Sequence, residues 1–115
     1  MGSIMKRGEI YFADLDPTIG DETKKRRPVL IVSNNANNKA AGTVTVVPIT
    51  SNTTKIYPFE VFLDSNETGL NKHSKAQCHQ IRTISKARMK NTTPAGYVRS
   101  SMPKIHSALM LHLDL

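Results

Sequence analysis

The chain has 115 residues, 38% of them hydrophobic and 22% charged, which is long enough for one sizeable core and too apolar for a disordered chain. Sixteen Lys and Arg against nine Asp and Glu leave a net charge of +7, a field that favours polyanions such as nucleic acid as partners. No apolar run approaches the ~20 residues of a membrane span, and the single cysteine, Cys78, excludes an internal disulfide framework and points to a reducing cytoplasm.

Met1-Gly2-Ser3-Ile4 reads as an expression scar ahead of a natural start at Met5, with residues 5–115 forming one domain. Glu9-Ile10-Tyr11-Phe12-Ala13 is β-branched and aromatic, and Asp16-Pro17-Thr18-Ile19-Gly20 closes it with turn residues. Val29-Leu30-Ile31-Val32 follows Pro28 and stops at Asn34-Asn35; it is apolar at every position, which suits a central strand covered on both faces. Thr43 to Val47 runs on into Pro48-Ile49-Thr50, where the proline removes a ladder donor and predicts an edge, bulge or bend. Pro58 to Leu63 and Ala76 to Arg82 complete five strands, and Tyr97-Val98 makes a short sixth. The period then changes. Ser101 is placed to cap a helix with Pro103 in its first turn, and Met102, Ile105, Ala108, Leu109 and Leu113 form one apolar stripe. Short strands followed by one late helix predict a mainly β, α+β domain built as a small barrel.

Motifs for metal or phosphate are missing. His73, His79, His106 and His112 make no HxxxH pair and have no cysteine pair nearby, Asp14 and Asp16 sit at a turn, and the glycines are isolated. No metal and no cofactor are expected. Cys78 lies among strand residues and reads as a small buried hydrophobe rather than a thiolate nucleophile. Three Tyr, three Phe and no Trp offer few base-stacking platforms. The unusual segment is Asp21-Glu22-Thr23-Lys24-Lys25-Arg26-Arg27-Pro28, where four cations abut the most apolar strand. Pro28 biases Arg27 to an extended conformation, and an arginine anchored at a sheet edge can hold a phosphate in a planar fork.

Arg7-Gly8-Glu9-Ile10-Tyr11, then Leu15-Asp16-Pro17-Thr18-x-Gly20, Glu22 and Arg27-Pro28-Val29 resemble the opening of the MazF/PemK family of toxin endoribonucleases. The likeness continues through Val46-Val47-Pro48-Ile49-Thr50-Ser51, Tyr57-Pro58-Phe59-Glu60-Val61 and Gln80-Ile81-Arg82-Thr83-Ile84. This resemblance implies an SH3-like barrel with a C-terminal helix, a homodimer, metal-independent cleavage of single-stranded mRNA, and neutralisation by a MazE-like antitoxin with an acidic disordered tail. Arg27 and Thr50 match the two catalytic positions, and Gly20 to Arg26 matches a mobile loop that gates RNA and antitoxin. Two departures stand out. Relatives tend to carry a Ser-Glu-Gln-x-Gly loop where this chain has Asp21 to Arg26, and an acidic residue where it has His79.

An RNase of this kind needs only to deprotonate the 2′-OH, stabilise the phosphorane and protonate the 5′ oxygen, giving a 2′,3′-cyclic phosphate and a 5′-OH. Arg27 suits charge stabilisation, because with a pKa above 12 fewer than about one in 10⁵ would be neutral at pH 7. Thr50 can donate to a non-bridging oxygen. His79 is a candidate acid–base group, and its replacement by Gln should then cut activity at least tenfold (order of magnitude) and flatten the pH–rate profile. Asp21, Glu22, Lys24, Lys25, Arg26, Ser51, Asn52, Gln80 and Arg82 are candidate RNA-binding residues, with Asn34, Asn35, Asn52 and Gln80 able to read base edges. The competing reading is a non-catalytic nucleic-acid-binding module, or a gyrase-inhibiting toxin, on the same fold.

Overall fold

The computed structural model describes residues 4–89 and 93–115, so Met1, Gly2 and Ser3 of the expected scar lie outside the described residues. Strands β1 (Glu9–Asp14), β2 (Arg26–Ile31), β3 (Thr43–Thr50), β4 (Glu60–Leu63), β5 (Ser74–Gln77), β6 (Arg82–Ser85) and β7 (Gly96–Tyr97) join in one sheet. Its order is β4-β5-β3-β2-β1-β7, with β6 also paired to β3. The sheet curls into a half-barrel, and helix α3 (Met102–Leu113) packs against β4 and the turn after β5. This is the mainly β architecture with a C-terminal helix that the sequence predicts.

Strand alternation explains why the curled sheet has two cores. Leu30, Val47, Ile49, Val61, Leu63 and Ala76 face α3, where Ile105 and Ala108 complete the packing. Tyr11, Ala13, Val29, Ile31, Val44 and Val46 fill the other face. Val29, Leu30 and Ile31 are fully buried between β1 and β3, as an all-apolar central strand requires.

Three local expectations change. The run from Ala76 to Arg82 is not one strand: β5 pairs with Ile49–Thr50 and β6 with Thr43–Val46, and a 3-10 turn at Cys78–Gln80 separates them. Between the two ladders the register slips by three residues, the length of that turn. Pro48 lies in the gap, where its missing N–H is harmless. Two helices were missed, α1 (Asn35–Ala40) and α2 (Ser65–Thr68), both too short to show a helical period. Their caps were nonetheless written in the chain. Asn34 Oδ1 accepts from Asn37 N at 2.8 Å, Asp64 Oδ1 accepts from Asn66 N at 2.8 Å, and Gly69 ends α2 at φ 78. Ser101, expected to cap α3 with its hydroxyl, instead donates it to Glu67 Oε1 at 2.6 Å, and Glu67 Oε2 accepts from Arg99 N and Ser101 N. The Glu67 carboxylate thus staples α2 to the start of α3. Beside it Gly96 runs so close that a Cβ would stand 2.3 Å from the Thr68 carbonyl oxygen.

Candidate active site

The antiparallel register of β2 on β3 pairs Val29 with Pro48 and Leu30 with Val47. Continued by two residues, it sets Arg27 opposite Thr50, with both side chains on the same sheet face. The next ladder pairs Thr50 with Lys75, and the next pairs Lys75 with Phe62 and Gln77 with Glu60. One row of polar side chains, Arg27, Thr50 and Lys75, therefore crosses three strands, a consequence of the period of two.

At the β2 end of this row, Arg27, Thr50 and Gln77 line a cavity of about 310 Å³ whose other wall is Gly20, Asp21, Glu22, Thr23 and Lys24 from the β1–β2 loop. Arg27 Nε donates to the Lys24 carbonyl at 2.8 Å, which fixes one edge of the guanidinium and leaves the other edge to face a ligand. Thr50 Oγ1 accepts from Asn52 N at 3.3 Å, so its hydroxyl proton can point outward.

The loop itself is tied down. Thr23 Oγ1 donates to Gln77 Oε1 at 2.9 Å, Thr23 N to Gln80 Oε1 at 3.2 Å, and Gln80 Nε2 to the Asp21 carbonyl at 3.2 Å. Lys25 N donates to Asp16 Oδ1, and Lys25 adopts φ 73, a conformation suited to glycine. Arg26 points to the opposite face, its guanidinium 5.2 Å from the Phe12 ring, and lines a second cavity of about 370 Å³ with Ser51, Asn71 and Lys72; Arg27 borders both.

Three expected residues serve other ends. Asn52 Oδ1 accepts from Thr54 N and shapes a turn. Arg82 donates to the Leu15 carbonyl at 3.2 Å and holds the end of β1. His79 does not line the Arg27–Thr50 cavity: its ring lies 4.4 Å from Phe59 and 6.3 Å from His112 of α3. Burial lowers the His79 pKa, His112 and Lys75 reinforce this, and Glu60 opposes it. Its Nδ1 is buried and finds no partner among the described residues. Cys78 is fully buried and its thiol is pushed up to about 12, by burial first and then by Glu60, which fits a packing role. Asn34 and Asn35 are occupied too, Asn34 at its cap and Asn35 accepting from Arg7 N at 2.8 Å.

The model of the PemK-like, MazF-like toxins of type II toxin–antitoxin systems matches residues 6–113. The chain belongs to this family. It is 45% identical to endoribonuclease MazF9 of Mycobacterium tuberculosis over 118 residues, covering 97% of this chain and 98% of that one. Among solved structures it is similar to the Mycobacterium tuberculosis toxin MazF-mt6, with 31% identity, a TM-score of 0.76 and coverage of 93% and 97%. It is also similar to a mycobacterial endoribonuclease in complex with its cognate antitoxin, with 27% identity, a TM-score of 0.75 and coverage of 98% and 96%.

Within this PemK/MazF chain, sequence reading missed Gln77, which lines the cavity and holds Thr23. The signal was its spacing of two from Lys75, which places both on Thr50's face, but a strand drawn unbroken to Arg82 concealed it. No helix among the described residues is long and apolar enough to cross a membrane, and no three His, Cys, Asp or Glu among them cluster as metal ligands.

Proposed function

We propose that this PemK/MazF-family chain is a sequence-specific endoribonuclease toxin that cleaves single-stranded mRNA without a metal. The observation that carries this is the placement of Arg27 and Thr50 on one sheet face, lining one cavity that also contains two carboxylates. Arg27 grips a non-bridging phosphate oxygen and meets the charge that builds on the phosphorane, while Thr50 donates to the same phosphate. Asp21 and Glu22 repel phosphate, so RNA binding alone does not account for them. They are suited to accept the 2′-OH proton as that oxygen attacks phosphorus. The bond to the 5′ oxygen breaks, and the departing alkoxide, a stronger base than neutral guanidine, takes a proton from Arg27 that solvent then restores. A 2′,3′-cyclic phosphate and a 5′-OH result.

Lys24, Lys25 and Arg26 supply the field that draws the RNA backbone in. A homodimer and a cognate antitoxin, whose acidic tail would occupy the cationic groove, belong to the same proposal. The likeness to the antitoxin-bound mycobacterial endoribonuclease supports the antitoxin.

The deciding experiment incubates the protein with a long single-stranded RNA in EDTA and maps the ends. Defined fragments with cyclic phosphate ends are expected, and Arg27→Ala should slow their appearance roughly 10²–10³-fold. Intact RNA with a mobility shift would replace the nuclease by a binding module.

A further inference from the structure

The segment leading into β4 carries a feature the cleavage chemistry leaves unused. Tyr57 is exposed (43%), and its ring is stacked on Phe59, with centroids 5.5 Å apart and planes within 10°. Phe59 in turn packs on His79 at 4.4 Å. This aromatic column is rigidly mounted. Glu60 Oε1 accepts from Tyr57 N at 3.0 Å, and Glu60 N donates to the Tyr57 carbonyl at 2.8 Å. The buried Lys75 ammonium joins Glu60 at 3.0 Å and the Lys55 carbonyl at 2.6 Å, so the backbone on both sides of the ring is fixed.

Its position follows from the register. Lys75 stands directly opposite Thr50, and its ammonium lies 6.0 Å from the Tyr57 centroid, so Lys75 links the Tyr57 ring to the row that holds Thr50. β4, which the Tyr57–Phe59 segment enters, lies two inter-strand spacings, about 10 Å, from β3. The charge around the ring is favourable as well, with the Lys55 and Lys75 ammonium groups 5.0 Å and 6.0 Å from the Tyr57 centroid. An exposed aromatic beside cations is the combination that holds unpaired bases.

We infer that Tyr57, backed by Phe59, is a stacking platform for an unpaired RNA base flanking the cleaved phosphodiester, with Lys55 meeting the adjoining phosphate. This rests on the ribonuclease reading given above. Phe59 and His79 then act as positioning residues that keep the Tyr57 ring in place, and His79 reaches the RNA only through them.

The test uses two RNAs of one sequence, chosen at a mapped cut or, failing any cut, at a bound segment. One is all-ribose. The other carries a 2′-deoxy nucleotide at the cut, so that it binds without being cleaved, and in this second RNA an abasic nucleotide is walked along the flanking positions. Tyr57→Leu should weaken binding of the uncleavable RNA about 5- to 150-fold, and Tyr57→Phe should restore it. One abasic position should cost the wild type a similar factor and cost Tyr57→Leu almost nothing further. Lys55→Gln should instead lower affinity for every RNA and flatten its salt dependence by about 0.7 in the logarithmic slope. If Tyr57→Leu binds as the wild type does while the wild type cuts RNA, the platform is refuted and the nuclease stands. If the wild type cuts no RNA but its binding depends on Tyr57 and on one base, the nuclease fails and the platform stands.

Discussion

Gln80 offers the sharpest test of how the β1–β2 loop prepares the site. Its amide makes two of the three hydrogen bonds that tie the loop to Gln77 and Gln80, accepting from Thr23 N and donating to the Asp21 carbonyl, each at 3.2 Å. A neutral hydrogen bond contributes about 0.5–1.5 kcal/mol net, and these are long and partly solvated, so Gln80→Ala should cost the closed loop about 1–1.5 kcal/mol. That corresponds to roughly a tenfold rise in the open population. The Lys24 carbonyl that fixes Arg27 Nε sits on this loop, so opening also frees the guanidinium. Hydrogen exchange at the amides of residues 21–25 should therefore accelerate about tenfold, with little change in the melting temperature, because the loss is local. Turnover should fall by less than that factor, following the closed fraction, since an arginine that must be reoriented stabilises the phosphorane less. Unchanged exchange, or faster cleavage with faster exchange, would show that the loop does not preorganise Arg27.

Three further outcomes are expected. The Glu67 carboxyl is pushed up by burial, but hydrogen bonds from Ser101 and Arg99 outweigh this and hold it below its ordinary range. Its stabilisation is therefore complete above the unfolded value of about 4.3 and lost as pH falls through the lower folded value, so the melting difference between wild type and Glu67→Gln should be full at neutral pH and vanish in strong acid. Lys25→Gly relieves a left-handed residue worth about 1–2 kcal/mol and adds about 0.5–1 kcal/mol of unfolded-state entropy, so a net gain of about 0.5 kcal/mol should appear in the urea midpoint. His79→Gln should leave the pH–rate profile intact while weakening RNA affinity through Phe59, and a flattened profile would return His79 to acid–base chemistry. The His79 pKa is lowered by burial, so the native state loses stability as pH falls below about 6.5 through the folded value, and the same variant should remove that slope.

The long elements were legible because their signal is collective. Val29 to Ile31 could only be a strand covered on both faces, and Ile105 and Ala108 could only be the inner stripe of a helix. The meeting of Arg27 and Thr50 in one cavity was not readable from composition or spacing, since it depends on the register of β2 on β3, which long-range packing decides. The stretch after Ala76 shows why reading failed there. Gln77, Cys78, His79 and Gln80 have no local feature that stops a strand, and the break exists because β3 must offer one edge to two partners in registers three residues apart. That break has a functional result. An unbroken strand would alternate sides and send His79 to the face of Gln77 and Thr50, where an acid–base role would be natural. The turn carries it to Phe59 and α3 instead, and aims Gln80 back at the loop. The choice between a histidine that moves protons and one that supports a stacked ring is thus made by a register slip on the far side of β3, and the His79→Gln pH profile reads that choice directly.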